Sequence, residues 1–292
     1  MTGVQTCALP IFAVLWIAVS GVAIVFCLGS YFAKLASGVR VVLIDLNPAP
    51  GRAAVSAGSM CMTMLAAARG QLTGEAHPAL ALWFGGFALH VLYALCVLVV
   101  IVQDGLRNLR VTPVLFLPFV GFIISPMGGV ELGQTALSHY VFWGTLPVFL
   151  LIFLLSAPRF LLWPTAIPQR AAAAILLAPT SLFATSAFTL GMERFFDMFF
   201  VASCTVALIL MLSLKWLTKG GWTPLWGAFT FPLAAFASAC VIAATRYGSA
   251  WSAFAFGVLV VSSVVVAALF VLTIRAWAGG RLAPATGAAI AP

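Results

Sequence analysis

Apolar residues run along the chain in nine long stretches separated by short polar connections: 11–35, 53–68, 79–103, 112–130, 137–156, 170–190, 195–217, 223–246 and 250–277. A helix needs about 20 apolar residues to cross a bilayer core, so the pattern predicts a chain of transmembrane helices. They are of two kinds. The second, fourth, sixth and eighth are broken by proline or thinned by small residues. The first, third, seventh and ninth are smooth and lipid-like, and the fifth, with Pro147, is an exception. Consecutive spans therefore pair as hairpins with one inner and one outer member. The eighth shows the inner type most clearly: TPLWGAFTFPLAAFASA (223–239) has Pro232 in its middle and Phe229, Phe231 and Phe236 around it. Proline inside a helix removes a hydrogen bond and bends the axis. In lipid the freed carbonyls must be received by other helices or a water-filled cavity. The segment reads as lining a central pathway, with an aromatic ring near its kink. LFLPFVGFIISP (115–126) and LLAPTSLFATSA (176–187) carry the same feature.

Composition narrows the class. Of 292 residues 64% are hydrophobic and only 7% charged, with a mean hydropathy of +1.17, against about 25% charged in soluble domains. The fold class is an all-α integral membrane protein with no room for a soluble catalytic domain, so no enzyme is expected. The net charge of +8 follows from the positive-inside rule rather than from a nucleic-acid partner. Lys34, Arg40, Arg52, Arg107, Arg110, Arg159, Arg170, Lys215, Lys219, Arg275 and Arg281 fall on one set of connections, and only Arg69, Arg194 and Arg246 on the other, eleven against three. The bias puts the C-terminus in the cytoplasm of a multi-pass inner-membrane protein. Nine spans then leave the N-terminus outside and the first span without an inner partner. The opening MTGVQTCALPI resembles translated adapter read-through and has no charged signal-peptide region. Residues 1–11 are expected to be a non-native leader, 12–281 one transmembrane domain and 282–292 a disordered tail. About 30 further residues are expected in the natural product, with Met1–Leu9 lying loosely or a slot left open.

The chemistry inside the spans is sparse. None of the six acids falls mid-span. Ser56, Ser59, Thr63, Ser125, Thr180, Ser181, Thr230 and Ser238 are candidate pathway-lining hydroxyls, together with Pro118, Pro179 and Pro232, and bonding back to their own helices is the competing role. Kinked helices and hydroxyls supply partial positive charge to a small anion without binding it tightly. His90 is the one histidine deep in a span. It sits on an outer-type helix, which favours a neutral ring bonded between helices over a functional one. Cys27, Cys61, Cys96, Cys204 and Cys240, and the run Met60–Met64, read as packing residues, so no metal or cofactor is expected.

Four stretches in order resemble one family. DLNPAPGRAAVSAG, PVLFLPFVGFIISPMGG, AAILLAPTSLFATSA and WGAFTFPLAAFASA are similar to the third, fifth, seventh and ninth helices of the tellurite-resistance/dicarboxylate-transporter family, which includes the plant slow anion channels. The resemblance runs from about Leu15 to Arg281. It implies ten helices in five hairpins around a quasi-fivefold pore, proline-kinked inner helices and a homotrimer in the lipid bilayer. It also implies a phenylalanine plug, which maps to Phe231 with Phe229 as second choice. The family's first helix has no counterpart here.

Three functions compete. One is a passive pore for small inorganic or organic anions. Another is a proton-coupled carrier of malate-like dicarboxylates, or a tellurite or sulfite efflux protein, on the same fold. The third is the membrane anchor of a quinone-linked oxidoreductase, which would need paired histidines for haem. A carrier needs an ionisable relay on an inner helix, and the sequence offers none there, which favours the pore.

Overall fold

The computed structural model of the chain describes residues 3–36, 38, 40–73, 76–105, 111–162 and 166–286. Arg107 and Arg110 of the charge count, Met1 and Thr2 of the leader and residues 287–292 of the tail lie outside the described residues. Every described element is helical. The first span belongs to α1 (Gly3–Ala36), so residues 3–11 continue the helix instead of lying loose. The polar connection after it folds as a short helix, α2 (Arg40–Leu46). Lys34 Nζ donates to both Asp45 oxygens at 2.9 and 2.8 Å and fastens α1 to α2. Arg52 Nε donates to the Leu46 carbonyl at 2.6 Å. The next helix, α3 (Ala49–Thr73), begins directly after Pro48 and carries Pro50 as its second residue. A proline in a first turn gives up an N–H that has no intrahelical partner anyway. Gly51 makes the tight α2–α3 turn possible, since a Cβ there would run into the Asp45 carbonyl oxygen.

The smooth spans are continuous: α4 (Ala76–Asp104), α7 (Thr135–Leu162), α9 (Glu193–Leu212) with the short α10 (Leu214–Leu217), and α12 (Ser249–Ala278). A last turn of helix, α13 (Leu282–Thr286), occupies the start of the stretch expected to be disordered. Seven described helices are long and apolar enough to cross a membrane, and residues 113–129 form a shorter apolar helical stretch.

The inner spans break in one repeated way. In the fourth, a 3₁₀ turn (Pro113–Leu115) leads into α5 (Phe116–Val120), followed by a second 3₁₀ segment (Gly121–Ile124) and α6 (Pro126–Gly129). In the sixth, 3₁₀ helix Ile167–Leu176 leads into α8 (Leu177–Thr189). In the eighth, 3₁₀ helix Pro224–Phe229 leads into α11 (Thr230–Tyr247). Pro118, Pro179 and Pro232 are each the third residue of their α-helix. The expected mid-helix kink at Pro232 is thus a change of helix type just before it. Proline is tolerated in a first turn, where the missing N–H costs no α-helical bond. Side chains from neighbours cover the exposed carbonyls. Ser186 Oγ donates to the Ile123 carbonyl at 2.7 Å, and Trp83 Nε1 to the Ser125 carbonyl at 3.1 Å.

Each inner element packs against the next smooth helix: α3 with α4, α5 and α6 with α7, α8 with α9, and α11 with α12. Residues 167–189 are 89% buried in their most apolar window, against 22% for α9 and 17% for α12. α7, the span with Pro147, is 33% buried, the same as α4, and Pro147 is exposed. Stacked and edge-on rings of Phe142, Phe149, Phe183 and Phe199 fill the space between α7, α8 and α9, with Phe183 and Phe199 5.0 Å apart. Such pairs add to the area they bury. Through neighbouring contacts α3, the α5–α6 segment, α8 and α11 follow one another in an arc. Among the described residues no packed interface closes the arc between α11 and α3, and Ala234, Ser238, Val241 and Thr245 of α11 are exposed. α1 packs on α3, with Gly21 facing Leu65, and its Phe26 stands edge-on to Trp277 of α12 at 5.5 Å.

Candidate pore-lining site

All four inner elements meet at one apolar cavity. Its wall is Met60 from α3, Phe116, Leu117, Val120, Gly121 and Ile123 from the broken fourth span, Ile175, Ala178, Pro179 and Leu182 from the sixth, and Phe231 from the eighth. The space between atoms, open mouth included, is about 270 Å³. The repeated break explains why these residues converge. Leu117, Ala178 and Phe231 are the residues immediately before the third-position prolines of α5, α8 and α11. Each stands in a first turn, at the same level of its helix, and each reaches the cavity. Each first turn continues from a 3₁₀ segment whose carbonyls accept the amide at the junction, and no charged side chain stands in the cavity wall.

Phe231 is the bulkiest member of this pre-proline layer and is half-buried. Phe229, two residues earlier, belongs to the 3₁₀ turn and packs edge-on against Trp226 at 5.9 Å, away from the cavity wall. Pro179 lines the cavity, whereas Pro118 and Pro232 are buried behind it.

A second, smaller niche of about 170 Å³ adjoins the first and shares Met60 and Gly121 with it. Ser59, Thr63 and Ser125 line this niche with Phe87, His90 and Phe122. Three of the eight candidate hydroxyls are therefore gathered beside the cavity. Ser56, Thr180 and Ser181 are buried elsewhere among the helices, Thr230 is half-buried and Ser238 is exposed. All eight hydroxyls donate to carbonyls of their own segment. Ser56 donates to Arg52, Ser59 to Ser56, Thr63 to Met60 and Ser125 to Phe122; Thr180 and Ser181 both donate to Leu177, Thr230 to Gly227 and Ser238 to Ala234. Their protons are engaged, so they turn lone pairs, not donors, toward their surroundings.

Sequence reasoning had not singled out Met60, Leu117 and Gly121 for this wall. Leu117 was detectable, because it stands before Pro118 as Phe231 stands before Pro232. Gly121 is legible only in space: a Cβ there would lie 2.9 Å from Met60 Sδ and 2.9 Å from His90 Cε1. His90 does bond between helices, its Nδ1 2.7 Å from Ser59 Oγ.

At the end of α11 remote from the cavity, Arg246 is held by Asp197 and Glu193 of α9. Its Nε and Nη2 donate to Asp197 at 2.9 and 3.1 Å, and its Nη1 reaches Glu193 at 2.9 Å. Tyr247 donates to the same aspartate. The guanidinium charge is neutralised there and fastens α11 to α9 instead of facing the pathway.

A family model described as a voltage-dependent anion channel matches residues 2–274, and none of the curated proteins searched matches the chain. The matched stretch contains every inner element, both cavities and all the outer helices up to the last turn of α12. This multi-pass, all-helical membrane protein belongs to the voltage-dependent anion channel family.

Proposed function

We propose that the chain forms a passive pathway for small anions, closed at the cavity by the ring of Phe231. One observation carries the reading: Phe231 converges with residues of the other three inner elements on a single apolar space. A narrow apolar constriction excludes ions both sterically and by dewetting. The match to the voltage-dependent anion channel family supports anions as the permeating species. The wall holds no lysine or arginine that would retain the ion, as rapid passage requires. Chloride, nitrate and sulfite efflux from liposomes containing the purified chain tests this directly. Efflux of chloride and nitrate above protein-free vesicles is expected. Accumulation of malate that depends on an imposed proton gradient would favour the dicarboxylate carrier instead. A haem absorption band in the purified protein would favour the oxidoreductase anchor.

The same reading places the C-terminus and the connection holding Lys219 on the cytoplasmic side of an inner membrane, and the protein in a homotrimer. In a background with all six cysteines replaced, Lys219→Cys is expected to react with an impermeant thiol reagent only in inside-out vesicles. Labelling in right-side-out cells would reverse the topology. Mass photometry in detergent is expected to give three times the 30.7 kDa chain mass, and a purely monomeric species would overturn the trimer.

A further inference from the structure

His90 belongs to an outer helix, yet its ring is 3% exposed and lies in the wall of the smaller niche. The single hydroxyl proton of Ser59 goes to the Ser56 carbonyl at 2.9 Å. Ser59 Oγ also lies 2.7 Å from His90 Nδ1, and with the Ser59 proton on the Ser56 carbonyl its oxygen accepts from a ring protonated at Nδ1. In the neutral ring this leaves Nε2 as a bare acceptor. Nε2 is buried and has no hydrogen-bond partner. The other polar groups of the niche cannot supply one, because Thr63 and Ser125 donate to the Met60 and Phe122 carbonyls. The niche is rich in acceptors and lacks a proton.

A proton on Nε2 would fit these surroundings. The carbonyls of Pro118 and Leu117 lie near the ring as backbone acceptors, which a protonated nitrogen can use. The ring of Phe122 packs against it, with centroids 4.3 Å apart and planes near perpendicular. Nothing nearby neutralises the charge. No other titratable side chain lines the niche, and residues 111–130 of the broken span contain none. On α3, Arg52 is turned to the Leu46 and Asn47 carbonyls, Cys61 is exposed, and Arg69 lies near the far end of the helix. On α4, Tyr93 donates to the Arg52 carbonyl, Cys96 lies further along, and His77 and Asp104 are at the two ends. Met60 and Gly121 line both the niche and the main cavity, and across a shared wall in a low-dielectric interior a charge is felt strongly.

We propose that His90 is the protonation site of the pathway: a proton taken up at Nε2 puts positive charge behind the Met60–Gly121 wall and raises anion occupancy of the main cavity. The inference rests on the anion-pore reading and adds a proton dependence to it.

The test uses the full chain in liposomes, with chloride flux measured from about pH 8 to about pH 4, a range that spans the ordinary histidine value of about 6.5. Flux is expected to rise about fivefold or more on acidification, the low end of common site-to-site coupling. His90→Gln is expected to stay at the wild-type alkaline level throughout, with folding checked by gel filtration. In parallel, ¹⁵N-histidine NMR of the same protein is expected to show one ring, missing in His90→Gln, in the Nδ1–H tautomer at alkaline pH. That ring should become doubly protonated over the range in which flux rises. A pH response that survives in folded His90→Gln, or a His90 ring that never titrates, overturns the proposal. A His90 ring that titrates in protein passing no anion condemns the pore reading, and this inference with it.

Discussion

Phe231→Ala is expected to raise anion conductance on the order of tenfold or more, since lowering a barrier by about 1.4 kcal/mol accelerates passage tenfold. The phenyl ring is the largest group projecting from the pre-proline layer, and Ala178 opposite it is already small. Removing the ring therefore widens the constriction and reduces its dewetting at once. Leu117 and Met60 remain in the wall, so the opened path keeps its apolar character and its anion preference. Folding should survive. Fully burying a phenylalanine contributes about 1.5–3 kcal/mol, and Phe231 is only half-buried. Phe229→Ala is the control, because Phe229 packs on Trp226 outside the cavity. Single-channel recording or liposome flux compares the three proteins. Equal conductance for Phe231→Ala and wild type would refute the gate. A rise confined to Phe229→Ala would show that the register of the eighth span is shifted in the conducting state.

Much of this architecture can be read from the chain because lipid imposes simple rules. The alternation of proline-broken and smooth stretches follows from the need to satisfy every backbone group inside the bilayer, and it predicts the pairing of α3 with α4, α8 with α9 and α11 with α12. What the pattern conceals is the form of the break. Proline reads as a kink in mid-helix, yet Pro118, Pro179 and Pro232 all sit in first turns behind 3₁₀ segments. The geometry depends on the residues upstream of the proline, which must give up α-helical bonding, and apolar residues such as those of LWGAF show no preference that betrays it. The short helix α2 escapes notice for a related reason. RVVLIDL has too few residues for a periodic signal, and it is held by Lys34 and Arg52, which lie outside it. His90 is the instructive case at the site. Its helix is an outer one by pattern, but helical spacing turns one face of α4 inward, and only the structure shows that Ser59 and Gly121 meet it there.

The second large effect is expected at Gly128, where α6 crosses α3. A Cβ at Gly128 would lie 2.6 Å from Ala67 Cβ and 3.2 Å from Ala67 Cα. Neither atom belongs to a flexible side chain that could swing aside, so the two elements must separate. In membranes, helices associate through such small-residue contacts, because lipid supplies no hydrophobic force to hold a looser interface. Overpacking of this kind costs about 1–3 kcal/mol for one added methyl, and Gly128→Leu is expected to yield no folded protein. Gly128→Ala should fold with a clearly lowered melting temperature in detergent. The geometry also specifies a rescue. Ala67→Gly removes the methyl that the new Cβ meets, at a cost of about 1 kcal/mol for glycine inside a helix. The double variant Ala67→Gly/Gly128→Ala should therefore melt above Gly128→Ala, although each single change is destabilising. Contacting residues couple by about 0.5–3 kcal/mol in such cycles. Because the displaced α5–α6 segment carries Leu117 and Gly121 into the cavity wall, chloride flux should fall in Gly128→Ala and recover with stability in the double variant. Simple additivity of the two changes, or a Gly128→Ala protein as stable as wild type, would mean that α6 does not rest on α3 at this contact.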